Sequence, residues 1–581
     1  MRKPSIVLGV SYGHGDSAAA VVVDGTLVAA AEEERFVRVK HYALFPSRAV
    51  QYCLAEADIS AAKVDVVAVP RRPWQGFWRK FAMGLTHPAL VGSRPPRVDA
   101  AKPVPTLSHQ LQVMGLRRAR VERHEHHLAH LASARFLCEK ETVALVSLDG
   151  LGDFASGALG VARGGEFEIL RRIYFPHSLG FFYTAMTQYL GFPHYGDEYK
   201  VMGLSSYGRP VFLQALRELV RESDGNGYLL NLEAFPILKN PIQFTIEKGQ
   251  PRLRPFFSTP LLTQLLGVPP RKLTEELTEA HQDLARSVQA RFEEVANHVL
   301  SLVHEAVGGD ALALAGGCAH NSVWVGKIPR VTPFRSVHVA PASHDAGTAV
   351  GAAILSSRAI VRPARGHWAL LGPGGSPAGF SPIVPEGTRE QKFFDDESLI
   401  EWIVHALCDN RIVGLFHGRM EFGPRALGGR SILADPRKPE MRGRLNERIK
   451  RRESFRPFAA SVLWEHQAKW FKGSFFSPHM EAVFEVQESV RSHIPAVVHV
   501  DQTCRVQSVV AESQPFYWNL IEAFRRKTGV PLLINTSFND NEPIVCTEQD
   551  AFRCFLNSDL DCLVVGHRAY VKEAMALAQA G

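Results

Sequence analysis

Two imidazoles set one helical turn apart are the first sign of chemistry. In His126-His127-Leu128-Ala129-His130, a helix places His126 and His130 on one face, the spacing by which two histidines reach one ion. Asp149 ends a buried-strand pattern that runs through the apolar stretch 143–146. Asp345 lies in Ser343-His344-Asp345-Ala346-Gly347, after another strand pattern. Two histidines and two aspartates make a mixed nitrogen–oxygen set suited to a divalent metal such as Fe²⁺, Mn²⁺ or Zn²⁺. The same His-rich face also fits a surface helix or a hydrogen-bonded core.

Two further clusters suit phosphate-bearing ligands. Gly316-Gly317-Cys318-Ala319-His320-Asn321 follows an apolar strand. The glycines let a backbone approach a ligand closely, and Asn321 can bind a ribose or base, though such a pair is often purely structural. Lys200, after Gly196-Asp197-Glu198, can meet a phosphate or sit in solvent. The third cluster spans 419–428 and 450–458. Arg425 and Arg456 stand there in Gly/Pro-framed turns between apolar residues, where a guanidinium needs a partner, and its fork suits phosphate. Lys450 lies just before Arg456, and Arg448 and Arg451 read as a salt-bridged surface. Asn535-Thr536-Ser537 ends a strand and offers amide, hydroxyl and backbone donors.

These groups need elements to hold them. Apolar runs at 6–10, 18–23 and 26–31 read as three strands, with Asp24-Gly25 as a hairpin turn. A helix at 46–57, a strand at 64–69 and a strand at 142–148 continue an α/β alternation. The span 274–307 reads as a long amphipathic helix capped by Thr274 and stopped by Gly308-Gly309. Strands follow at 310–315 and 337–340. Gly and Pro crowd 372–379, so the main boundary is placed there: one domain at 1–360, a linker at 361–390 and a second domain at 391–581. In the second, strands are expected at 412–416, 459–463 and 532–534, and helices at 397–408 and 517–528. A strand followed by glycine recurs at Gly9, Gly150 and Gly316, as in a fold of two related halves.

Length and composition narrow the class. At 581 residues, 46% hydrophobic and 22% charged, the chain is a globular protein of several domains. No apolar run approaches the roughly 18 residues of a membrane helix, and the start lacks a signal-peptide pattern. The eight cysteines form no CxxC pair and read as reduced, so a cytoplasmic location without membrane attachment is expected. The net charge of +7 is matched by 419–456 alone, where twelve Lys/Arg face five Asp/Glu. One such segment fits a phosphate-rich ligand better than a nucleic acid.

Together Glu32-Glu33-Glu34-Arg35-Phe36, Lys40-His41, His126–His130, Gly196–Gly203, Gly316-Gly317 with Asn321, 419–428, Glu453 through Phe458, and Asn535-Thr-Ser-Phe-Asn resemble one family nearly end to end. It is the ATP-dependent O-carbamoyltransferases of nodulation-factor and antibiotic biosynthesis. The resemblance implies an α/β protein with an actin-like, two-lobed first domain of ribonuclease H-like halves, similar to threonylcarbamoyl transferases. The second domain would be similar to threonylcarbamoyl-adenylate synthases. It also implies carbamoyl-adenylate formation from carbamoyl phosphate and ATP in the second domain, with loss of pyrophosphate. Transfer to a hydroxyl of a small acceptor, a specialised metabolite, antibiotic or toxin, would follow in the first domain, with release of AMP. Matching positions would make His126, His130, Asp149 and Asp345 ligands of Fe²⁺ or another divalent metal. Lys40, Gly150, Lys200, Gly316, Gly317 and Asn321 would fall on the adenylate site. Arg425, Lys450, Arg456, Arg505, Asn535 and Ser537 would hold carbamoyl phosphate and ATP, with or without Mg²⁺.

One position departs from the pattern. Many relatives carry His directly before Asp-Ser-Ala-Ala, whereas here Gly15 stands there and His14 one place earlier. His14 is therefore the expected base for the acceptor hydroxyl, with His126 and Asp149 beside it. A labile carbamoyl-adenylate calls for a path shielded from water. Residues 71–100, with Trp74, Phe77, Trp78 and Phe81, and the stretch 235–257 are expected to shape the acceptor pocket. The partners expected are that acceptor and no nucleic acid, with room left for a homodimer. A tRNA threonylcarbamoyl-type modification enzyme is the competing reading and would need a basic RNA-binding face. A sugar or acetate kinase would leave the second domain unexplained, and a non-enzymatic scaffold would not need the charged motifs of both halves.

Overall fold

Three short strands joined by tight turns begin the chain. Ile6–Ser11, Ala18–Val23 and Thr26–Glu32 pair as an antiparallel meander. Positive φ at Asp24 and Gly25 gives the turn the twist that such hairpins need. Val66–Val69 then joins Ile6–Ser11 in parallel, and Arg120–Arg123 joins Val66–Val69. The pattern repeats in the next sheet. Thr142–Gly152, Ala155–Arg163 and Glu166–Tyr174 form a second meander. Ala311–Ala315 and Ser336–Val339 extend it in parallel. Five strands of each sheet share the 3-2-1-4-5 order, the first sheet adding Arg362–Pro363 at its edge; these are the two ribonuclease H-like halves of an actin-like domain, so the recurring strand-then-glycine pattern reflects a real duplication of topology.

The computed structural model describes residues 5–91, 97–98, 102–103, 105–135, 137–357, 359–364, 366–375, 382–450, 452–453 and 455–572. Arg451 and parts of the stretches 71–100 and 361–390 lie outside them. By its contacts the chain divides into Met1–Ala364 and Arg365–Gly581.

Packing between the halves of the first unit is very close. Helix Gly347–Ser356 lies against strand Ile6–Ser11 and helix His126–Arg135. A methyl group added at Gly9 would fall 1.9 Å from the Ala349 carbonyl oxygen, and one at Gly351 would fall 1.8 Å from that of Ala129. Only glycine allows these approaches. They fix the start of one helix, where Asp345 lies, against the first turns of the other, where His126 and His130 lie.

The long helix begins later than its pattern suggests. It spans Glu279–Val307, and Thr278, not Thr274, caps it. The Thr278 N–H donates to His281 Nδ1 at 3.1 Å, a reciprocal cap that leaves Leu277 outside the helix. Its apolar side, Leu284 to Val303, is buried.

The second unit is built on one mixed sheet of ten strands. In spatial order they are Thr388–Lys392, Arg568–Lys572, Cys562–Val565, Val413–Phe416, Arg430–Ala434, Leu532–Ser537, Ala459–Leu463, Thr503–Val509, Ala482–Val486 and Phe471–Lys472. Thr388–Lys392 is thus an edge strand that begins in the last residues of the stretch read as linker, 361–390. Helices Asp396–Cys408 and Pro515–Thr528 pack on each other. No helix among the described residues is long and apolar enough to cross a membrane.

Candidate active site

His126 is the first residue of helix His126–Arg135, and His130 follows one turn later, so both imidazoles point the same way. Asp149 sits where strand Thr142–Gly152 breaks register after Leu148, which frees its side chain from the ladder. Asp345 lies in the turn before helix Gly347–Ser356. The four side chains converge. The two Nε2 atoms are 3.1 Å apart. Asp149 Oδ2 lies 3.3 and 3.4 Å from them, as does Asp345 Oδ1. Ligands roughly 2.0–2.2 Å from an ion stand about 3.3–3.6 Å apart in a tetrahedron, so the spacing fits a small divalent cation.

The donor chemistry supports the fit. The two Nε2 atoms and two carboxylate oxygens bring four ligand-type atoms together in a buried place. Asp345 Oδ1 is buried and has long contacts of 3.3 and 3.4 Å to the two Nε2 atoms, and a cation at the centre would satisfy it more fully. Burial opposes charge on His126, but the hydrogen bonds it donates to Asp149 and Asp345 and their negative charge overcome it and lift its pKa to about 10. Burial also works against ionised Asp149 and Asp345, yet the adjacent histidines hold both well below the usual carboxylate range.

Surrounding groups orient these four. Gly317 N–H donates to Asp149 Oδ1 at 2.9 Å, so the Gly316-Gly317 turn positions a candidate ligand. His14 Nδ1 lies 2.7 Å from Asp345 Oδ2, and the His14 ring meets the His126 ring edge-on at 5.8 Å. His14 thus stands beside the centre, with Nδ1 against a carboxylate and Nε2 left for another group. His127 turns away from it. Its Nδ1 faces Ser147 Oγ and its Nε2 faces the Ala155 carbonyl, each at 2.9 Å, and burial beside His126 and His130 presses its pKa down to about 3. His127 is a neutral core residue.

The expected nucleotide residues divide into two groups. Gly150, Gly316 and Gly317 adjoin Asp149, and the Gly150 carbonyl accepts from Ser178 Oγ at 2.7 Å. Asn321 is committed within the fold: it exchanges two 2.9 Å hydrogen bonds with Gln289 and caps the next helix through Trp324 N–H. Lys200 pairs with Asp197 at 2.8 Å. Lys40 is half-buried next to His41, whose Nδ1 lies 2.8 Å from Asp16 Oδ1.

That Asp16–His41 pair belongs to a polar network that sequence reading did not assign. Arg35 bridges Glu32 and Glu34 at 2.8 Å each, His344 Nε2 reaches Glu32 at 3.4 Å, and His320 meets His344 at 3.1 Å. The signal was available: acids and an arginine directly after an apolar strand must pair if they are buried.

In the second unit one carboxylate organises the Arg425 turn. Glu421 Oε1 accepts the N–H groups of Leu427, Gly429 and Arg430 at 2.7, 2.8 and 3.1 Å. Asn535 Nδ2 donates to the Ala426 carbonyl at 3.1 Å, so Asn535 holds the backbone next to Arg425. Strand register sets Asn535 and Arg505 opposite Ala459 from its two sides. Arg505 Nε is buried without a hydrogen-bond partner among the described residues, and burial draws the guanidinium pKa down to about 10. Lys450, 2% exposed, donates from Nζ to the Asn539 carbonyl and side chain at 2.8 Å and reaches Ser537 Oγ at 3.4 Å. Arg456 pairs with Glu453 at 2.6 Å, and its carbonyl accepts from Asn446 at 3.2 Å. Arg430, also unassigned by sequence, is a structural arginine. It donates to the His417, Gly418, Gly429 and Pro373 carbonyls and lies over the Phe416 ring.

Comparison with known proteins adds the chemical class. Residues 6–77 and 103–354 match the family model described as carbamoyltransferase N-terminus, and 404–572 match carbamoyltransferase C-terminus. An uncharacterized protein of Synechocystis is 35% identical, covering 98% of this chain and 97% of its own. The nodulation protein NolNO of Sinorhizobium fredii is 38% identical over 97% of this chain and 80% of its own. The 3'-hydroxymethylcephem-O-carbamoyltransferase of Amycolatopsis lactamdurans is 31% identical over 60% of each.

Proposed function

The chain belongs to the carbamoyltransferase family, and from that premise we propose that it works in two steps. The second unit makes carbamoyl-adenylate from carbamoyl phosphate and ATP, and the first passes the carbamoyl group to a hydroxyl of a small acceptor. Water releases phosphate from carbamoyl phosphate, a carbamate oxygen displaces pyrophosphate at the α-phosphorus of ATP, and the acceptor oxygen then displaces AMP at the carbamoyl carbon. Adenylation is useful because nitrogen lone-pair donation deactivates the carbamoyl carbonyl, and AMP is a good leaving group.

The observation that carries the reading is the convergence of His126, His130, Asp149 and Asp345 within 3.1–3.4 Å. These residues would hold a divalent ion, Fe²⁺ being the family's expectation. Such an ion supplies Lewis-acid polarisation or phosphate binding when bound. Gly317 N–H keeps Asp149 in place for it. His14 takes the proton of the acceptor hydroxyl at Nε2 while Asp345 holds Nδ1, an arrangement suited to a general base. In the second unit Arg505 and Lys450, both drawn into low-dielectric surroundings, bind the phosphate groups with Arg425 and Arg456, and Glu421 and Asn535 fix the Arg425 turn.

The two steps separate experimentally. Arg456→Ala removes a charge-assisted contact of about 1.5–3 kcal/mol, roughly one to two decades, and is expected to slow carbamoyl phosphate-dependent pyrophosphate release by that factor. His126→Ala is expected to keep pyrophosphate release and to lose acceptor carbamoylation. Normal pyrophosphate release in Arg456→Ala, or normal transfer in His126→Ala, overturns the assignment.

A further inference from the structure

The helix Phe77–Thr86 buries none of its residues. Trp74, Trp78 and Leu85 are more than 70% exposed, and Phe77 and Phe81 about half. The four aromatic rings are continuous: Trp74 to Phe77 at 5.9 Å, Phe77 to Trp78 at 5.3 Å and Phe77 to Phe81 at 6.4 Å, the last pair stacked. An apolar face of this kind on a folded protein marks a binding surface.

Its position ties it to the candidate transfer centre. Asp153 Oδ2 accepts the N–H of Arg72 at 2.8 Å and the N–H of His126 at 3.0 Å. One carboxylate oxygen thus joins the approach to the aromatic helix with the first residue of the histidine helix. Trp74 follows Arg72 by two residues, at most about 7 Å of chain. Arg79 over the Tyr174 ring and Lys80 over the Phe154 ring secure the helix to the second meander. From residue 71 to 86 the charged side chains are Arg71, Arg72, Arg79 and Lys80, with no acid. The family model matches up to residue 77 and resumes at 103, so most of this helix lies outside what the family has in common.

We propose that this helix is the acceptor-recognition element and that the acceptor is an anionic molecule with an apolar, ring-bearing body, its hydroxyl presented to the centre at His126. The proposal rests on the carbamoyl-transfer reading. Trp78, Arg79, Lys80 and Phe81 lie outside the matched span, where acceptor choice can vary, and Arg71, Arg72, Trp74 and Phe77 lie at its last residues. Ring faces stack on a flat apolar body, and the four cations of 71–86 outnumber Asp153, the acid beside Arg72 and Lys80, so the face favours an anion over a cation.

The test uses the full-length protein and 6-(hydroxymethyl)-2-naphthoate as probe, with its methyl ester and the 2-naphthylmethylammonium counterpart for comparison. Calorimetry is expected to give the naphthoate about tenfold tighter binding than the ammonium probe. Trp74→Ala with Trp78→Ala is expected to weaken naphthoate binding about tenfold and to leave pyrophosphate release unchanged. Arg71→Gln with Arg72→Gln is expected to erase most of the preference for the anion and to keep ester binding. These side chains are exposed, so an unchanged melting curve is expected for each variant. Wild-type probe binding in the tryptophan variant overturns the proposal. So does tryptophan-dependent binding to phosphatidylcholine–phosphatidylglycerol vesicles with no binding of the soluble probes. If wild type releases no pyrophosphate with carbamoyl phosphate, the carbamoyl-transfer reading fails, while probe binding still decides whether this face selects apolar anions.

Discussion

Loading the four-residue centre with a divalent ion is expected to expel a proton, and the size of the effect follows from His126. Its imidazole lies between Asp149 and Asp345 and carries a pKa raised to about 10. At neutral pH it is therefore a cation in the metal-free protein, and an ion must displace that proton to reach Nε2. At pH 7 the competition lowers apparent affinity by about three decades, and each pH unit gained restores about one decade. Mn²⁺ titrated calorimetrically between pH 6.5 and 8.5 is expected to bind about a hundredfold more tightly at the upper end. The heat should vary between buffers of different ionisation enthalpy in proportion to one proton per ion. Folding stability moves the opposite way without metal. The folded-state pKa lies above the unfolded 6.5, so the ion cluster stabilises the metal-free protein fully below about pH 6.5. That contribution is lost as pH rises towards 10. The metal-loaded protein should not show this decline. Affinity that changes less than threefold across the range, with identical heats in all buffers, would refute the reasoning.

His14→Asn is expected to slow acceptor carbamoylation by about 10²–10⁴ while leaving pyrophosphate release and metal content as in wild type; near-normal transfer at saturating acceptor would move the base elsewhere. Glu421→Ala strands three backbone N–H groups in a buried turn, each costing about 1–3 kcal/mol. A urea midpoint is expected to fall by the equivalent of at least about 3 kcal/mol, and Glu421→Gln, which keeps an acceptor oxygen, by less.

Much of this was legible because the determining interactions are local. The hairpin at Asp24-Gly25, the strand Ala459–Leu463 and the end of the long helix at Val307 follow from alternation, turn residues and Gly308-Gly309. The i, i+4 pair His126 and His130 is a helix-period signal. Their meeting with Asp149 and Asp345 is not, since it depends on the contacts of Gly9 and Gly351 with carbonyls far along the chain. The start of the long helix was misplaced because Thr274 and Thr278 both look like caps, and the reciprocal bond to His281 decides between them. Asn321 looked like a ligand group by position, yet Gln289, distant in sequence, claims its amide. The aromatics Trp74, Phe77, Trp78 and Phe81 are expected at the acceptor pocket, but their exposure depends on tertiary surroundings that local sequence does not carry.

The claim that matters most is that this chain moves a carbamoyl group at the expense of ATP. Carbon-labelled carbamoyl phosphate incubated with the full-length protein, divalent metal and the naphthoate probe, with and without ATP, tests it most directly. An acid-stable labelled carbamate ester is expected only with ATP, with one AMP formed per label transferred, and none with His126→Ala. Label transfer independent of ATP, or ATP cleavage with no dependence on carbamoyl phosphate, would contradict it.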